Sequence, residues 1–195
     1  MGALLRVLVI ALLAMPYQVG ALDLGPLDGI APPPGVTAIS LEYADQNSSG
    51  SLDTSTGPFF GSIDREAWKL RVGHSFSLGS MPAYSYGEIA WRESVVSGSS
   101  AEALGIEGDD GVGDLALATA VWPYANDEAG RYWGVAGYVV APTGDYKTEK
   151  NLEGVNFNAG GNRWIGILQT GLLQQLGERW HWSVGSDITV FEDND

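Results

Sequence analysis

Cysteine is absent from the 195-residue chain. No disulfide can staple it, and no thiolate can act as nucleophile or metal ligand. Histidine occurs twice, at His74 and His181, which fall in different expected strands. Basic residues are scarce: 10 Lys and Arg stand against 24 Asp and Glu, a net charge of −14. That balance argues against nucleic acid and against an anionic membrane surface as partners. Long apolar runs are missing beyond the first residues, so no transmembrane helix is expected in the mature chain. If the mature chain spans a membrane, it does so as a closed sheet, where every backbone group is paired.

What is present begins with a targeting segment. Arg6 supplies a positive start, Leu4 to Met15 is apolar, Pro16 breaks any helix, and Val19-Gly20-Ala21 is a small-residue cleavage site. Residues 1–21 therefore read as a signal peptide and the protein as exported. Residues 22–35 are rich in Pro and Gly and read as an irregular lead-in. An exported domain without disulfides must hold itself by a large core or by closure of a sheet.

The remainder, residues 36–195, reads as all-β. Its centre is the hairpin from Asp114 to Tyr146, two runs around a polar turn at Asn126. Each run is about as long as the 9–11 residues that a tilted membrane-crossing strand requires. Further strands are expected at Val36–Tyr43, Ala67–Leu78, Ala83–Ser94, Arg163–Gln175 and Trp180–Phe191. The connections alternate. Ala44–Arg65, Val95–Gly113 and Pro142–Asn162 read as long loops, whereas the turns near Gly79, Asn126 and Gly177 are short. Outer-membrane barrels have this asymmetry of long extracellular loops and short periplasmic turns.

Tryptophans cluster near strand ends. Trp68, Trp91 and Trp164 fall towards the long-loop side, and Trp122, Trp133, Trp180 and Trp182 towards the short-turn side. That is the distribution expected of two interfacial aromatic belts. Charges fall opposite the apolar positions, so Glu42, Lys69, Arg71, Glu88, Arg92, His181 and Asp187 are the candidate lumen-facing residues. The same alternation suits a sheet with one solvated face, and a secreted soluble β-domain that binds a ligand or partner is the alternative reading.

Four motifs carry a family resemblance. They are Ala31-Pro32-Pro33-Pro34-Gly35-Val36-Thr37, Gly111-Val112-Gly113-Asp114-Leu115, Ala141-Pro142-Thr143-Gly144-Asp145-Tyr146 and Asn158-Ala159-Gly160-Gly161-Asn162-Arg163-Trp164. In this order and spacing the stretch from Pro32 to Phe191 resembles the family named "putative MetA-pathway of phenol degradation", whose members are outer-membrane β-barrels often labelled transporters. The resemblance implies an up-and-down transmembrane barrel, a channel-like role and uptake of small aromatic or hydrophobic compounds. Its implied partners are outer-membrane lipid and a small solute. Family members continue through further strands after the position of Phe191. Seven strands is an odd number and an open sheet leaves unpaired edges in lipid, so the sequence reads as a C-terminally truncated portion of a barrel.

No constellation for catalysis emerges, and no cofactor or metal is expected. Gly73-His74-Ser75-Phe76-Ser77 approaches a nucleophile elbow, but Ser77 stands where a second Gly belongs and the stretch lies inside a strand. Asp109, Asp110 and Asp114 lack the spacing of a calcium loop.

Overall fold

The computed structural model describes residues 29–193 apart from 55–56, 106–107, 149–150, 153–154 and 157. The expected signal peptide and the lead-in as far as residue 28 lie outside the described residues. The elements in chain order are β1 Thr37–Thr54, β2 Gly57–Leu78, β3 Met81–Ser97, α1 Ser99–Leu104, β4 Gly108–Val112, β5 Leu115–Asn126, β6 Arg131–Ala141, β7 Asn151–Leu152, β8 Val155–Asn156, β9 Ile165–Leu176 and β10 Trp180–Phe191.

The long strands form one antiparallel meander in the order β1-β2-β3-β5-β6-β9-β10, with β4 added to β3 above β5. Among the described residues, strands β7 and β8 pair only with each other. The sheet curls into an incomplete barrel with β1 and β10 at its edges. At one end, here the lower, the turns are short. Leu78 pairs with Met81, Asn126 with Arg131 and Leu176 with Trp180. Gly79, Gly130 and Gly177 supply the positive φ angles of 64°, 56° and 73° that these turns need.

The upper end differs from the sequence reading. Ala44–Arg65 is not a loop. Strands β1 and β2 stay paired up to Thr54 and Gly57, leaving only residues 55–56 between them. Ser, Asn, Asp and Gly are poor strand formers, but strand propensity mostly reflects packing on a half-buried surface. A ladder of backbone hydrogen bonds extends through a polar ribbon without such packing. At 22 residues, β2 is about 70 Å long, far more than a bilayer crossing needs. The second expected loop also contains structure, α1 and β4.

The two faces of the sheet divide cleanly. Ile39, Leu41, Leu70, Val72, Ile89, Leu117, Val139, Leu168 and Ile188 are large, apolar and exposed on the outer face. Contiguous exposed apolar surface on this scale marks an interaction surface, and on a curled sheet it is the band that meets lipid. Tyr43, Trp68 and Trp91 pair in one row across β1, β2 and β3, with the Tyr43 and Trp68 rings 4.9 Å apart. Tyr124 pairs with Trp133 near the lower end.

Trp122 does not join that lower belt. The ladder between β5 and β6 slips between Val121 and Tyr124, so Trp122 and Pro123 bulge opposite Gly134. Pro123 has no N–H to give the ladder, which is why the bulge falls there. Without it, Trp122 and Tyr124 would share a face. With it, Trp122 keeps the inward phase of Ala116 and Ala118, 5% exposed and packed with Tyr132 and Leu173, while Tyr124 turns outward.

Candidate functional site: the inner wall

The inner face is built from alternate residues of each strand, and its pairing sets four levels. Highest is a knot of loops against Arg92. Below it is a charge ladder, then a tyrosine row, then the lead-in near the lower end.

The charge ladder joins β1, β2 and β3. Glu42 pairs with Lys69 and Arg71 with Glu88 across the strands. Lys69 Nζ lies 2.9 Å from Glu42 Oε2 and 3.8 Å from Glu88 Oε2, and Arg71 Nη2 lies 2.8 Å from Glu88 Oε2. Arg71 Nε donates to the same oxygen at 2.8 Å. The ladder carries two positive and two negative side chains. Its members are mutually paired, which is how charges persist on a partly buried wall.

One level down, Tyr86, Ala118, Tyr138 and Ile167 stand side by side across β3, β5, β6 and β9. Ala118 is small enough to let Tyr86 and Tyr138 meet edge to face above it, with centroids 6.4 Å apart. The Arg71 guanidinium sits over the Tyr86 ring at 4.4 Å, tying the row to the ladder. Tyr84 lies 5.8 Å from Tyr86, and Tyr138 Oη donates to Gln169 Oε1 at 2.7 Å. Gly73 is required opposite these rings, since a Cβ there would strike Tyr84 Oη and Tyr86 Cβ.

Near the lower end the lead-in crosses the inner face. Trp122 Nε1 donates to Gly29 O at 3.0 Å, and Ala31 packs on the Trp122–Tyr132–Leu173 cluster. Ser75, wholly buried, donates through Oγ to Pro33 O at 2.6 Å and accepts from Val36 N–H at 2.9 Å. The hydroxyl of the near-elbow motif is thus engaged with the lead-in. His74 faces the opposite side, where its Nδ1 lies 2.9 Å from Thr37 Oγ1.

At the upper end three of the four motifs converge. Asp114 accepts Gly144 N–H on Oδ1 at 2.8 Å and Gly161 N–H on Oδ2 at 2.7 Å. Asp145 accepts Val112 N–H at 2.8 Å, and Gly160 N–H donates to Asp145 O at 2.8 Å. Arg92 Nη1 donates to Ala159 O at 3.2 Å. Glycine is demanded by contact: a Cβ at Gly144 would lie 2.7 Å from the Gly113 carbonyl carbon, and one at Gly160 would lie 2.8 Å from the Gly144 carbonyl carbon. Lys147 Nζ adds an ion pair to Asp109 at 2.8 Å.

Of the seven residues singled out in the sequence, Glu42, Lys69, Arg71 and Glu88 form one cluster. Arg92 sits above them in the loop knot. His181 and Asp187 are on the edge strand β10, paired with Gln175 and Gln169 and exposed, four strands along the sheet from β3 and five from β2. The sequence analysis missed Tyr84, Tyr86, Tyr138, Ser75 and Asp114 as wall residues. Tyrosine alternation with Glu88 along β3 was the available signal for the first two.

Residues 61–195 match the family described as "Putative MetA-pathway of phenol degradation". The opening Pro-rich motif lies before the matched region. The fold is similar to the crystal structure of the COG4313 outer membrane channel from Pseudomonas putida F1, with a TM-score of 0.72 and 26% sequence identity. The likeness covers 89% of this chain and 62% of that one, so the chain spans less than two thirds of that channel's length. No curated relative matches. The lipid-type outer face, the walled inner face and the family match agree, and the chain belongs to the putative MetA-pathway of phenol degradation family of outer-membrane β-barrels.

Proposed function

We propose that this protein forms the wall of an outer-membrane channel that admits small aromatic or otherwise hydrophobic compounds. The observation that carries this reading is the tyrosine row on the inner wall, where Tyr84 and Tyr86 are partly exposed and buried Tyr138 backs Tyr86 edge to face. Ring edges and faces give a passing aromatic solute weak, repeated contacts, each about 1 kcal/mol. Weak contacts suit conduction, because a solute must leave as readily as it enters. The charge ladder beside the row supports the same reading, since its two cations and two anions are paired with one another. The solved neighbour's description as a channel points the same way.

The test is permeation in liposomes carrying the membrane-assembled protein. Phenol-sized aromatic solutes should cross faster than polar solutes of equal size. Replacing Tyr86 and Tyr138 together by Ala should narrow that preference while leaving the polar solutes unchanged. Equal rates for both solute classes in the wild type would overturn the solute assignment, and no permeation at all would overturn the channel.

A further inference from the structure

The glycine motifs do more than link strands: they lay a bar along the inner wall near its upper end. Ala159 reaches Arg92 on β3, yet the chain re-enters the sheet only at Ile165 on β9. Strands β5 and β6 lie between. Neighbouring strands are about 4.8 Å apart, so residues 159–164 traverse roughly 14 Å of inner wall. The bar is also recessed. Strand β3 continues for five residues above Arg92, to Ser97, which places the rim of the β2–β3 wall roughly 17 Å higher. Asn158, Ala159 and Gly160 are buried, Ala159 to 2% exposure, so the bar is packed against the wall and not loosely draped.

Asp114 holds this bar from below. It stands on the inner face in step with Ala116 and Ala118, and its two carboxylate oxygens take one backbone N–H each from two separate segments, Gly144 and Gly161. Charged acceptors make the stronger backbone hydrogen bonds. We propose that Asp114 is a positioning residue whose carboxylate pins the 158–161 segment inside the mouth and so sets the size of solute admitted. The inference rests on the channel reading above.

The test uses Ala159→Cys as reporter in the membrane-assembled protein; residues 1–195 hold no other cysteine. A bulky impermeant maleimide should label it slowly. Adding Asp114→Ala should speed labelling by about tenfold or more, the change in an opening equilibrium that loss of one charged hydrogen bond produces. Without the reporter, Asp114→Ala should raise single-channel conductance and enlarge the polyethylene glycol that still enters, and Asp114→Asn, which keeps one acceptor, should fall between. Unchanged labelling and unchanged exclusion size in a folded Asp114→Ala protein would overturn the proposal. Should Asp114→Ala fail to assemble, Asp114→Asn and Arg92→Gln each remove one tie, and no change in either overturns it equally. Wild-type protein that does not conduct would refute the channel and this inference together. Wild-type conductance with indifferent variants refutes only the role of Asp114.

Discussion

An arginine placed on the outer face of β2 should reveal how deep each residue lies. Val72 is exposed on that face and pairs with Ile39 and Gly87. It lies four residues below Trp68, the centre of the upper aromatic row. At about 3.3 Å per residue and a tilt of about 40°, that is roughly 10 Å below the row, near the middle of an apolar band about 25 Å tall. Val72→Arg should therefore cost the full midplane penalty of about 2–4 kcal/mol. Leu70→Arg, only about 5 Å below the row and able to snorkel towards it, should cost about 1–2 kcal/mol. Arg71→Gln, on the inner face between them, should cost only about 1 kcal/mol, because Lys69 remains 3.8 Å from the abandoned Glu88. The assay is reversible folding into liposomes followed by urea titration of the three variants. The order Val72→Arg, Leu70→Arg, Arg71→Gln, from most to least destabilised, follows from face and depth alone. If Val72→Arg folds as well as wild type, or Arg71→Gln is the worst of the three, the register of β2 in the membrane is wrong.

Other outcomes are expected from the same geometry. Trp122→Ala should cost about 3–5 kcal/mol, as for a buried core aromatic, whereas Trp133→Ala should cost about 1 kcal/mol, the worth of its hydrogen bond to Thr170. Equal losses on urea titration would contradict the placing of Trp122 on the inner face and Trp133 on the outer. Ser75→Ala removes both hydroxyl bonds to the lead-in, so limited proteolysis should cut near Pro33 faster than in wild type at an otherwise intact sheet. A single Cys at Asp110 should label on intact cells with an impermeant maleimide, and one at Ala129 should not. The opposite pattern would invert the orientation assigned from the connections.

Much of the fold was legible because a strand repeats every second residue. Strand β10 spans the expected Trp180–Phe191, and the inward side of β2 and β3 followed from Lys69, Arg71 and Glu88 alternating with Leu70, Val72 and Ile89. The upper half of the β1–β2 hairpin was not legible, since backbone pairing in a polar ribbon leaves no apolar alternation to read. Nor was the split between Trp122 inside and Tyr124 outside, because a one-residue bulge reverses the face of everything after it. The Asp114 knot was visible only as three separate motifs. That Gly113, Gly144 and Gly160 stack against one another depends on how β4, β5, β6 and β9 are juxtaposed, which no local spacing encodes.

The lead-in carries a consequence for the order of assembly. Its seat is composite: Trp122 from β5, Tyr132 from β6 and Leu173 from β9 must all be in place before Ala31 has anything to pack on. The bond from Trp122 to Gly29 closes a separation of 93 residues, so it comes late for entropic reasons as well. The chain's first described segment is thus among the last to dock, and it docks only on a correctly registered sheet. It behaves as a completion latch. Pulsed hydrogen exchange during liposome insertion should show the Gly35 and Val36 amides gaining protection after those of β5, β6 and β9. Earlier protection would mean that the lead-in templates the sheet instead of sealing it.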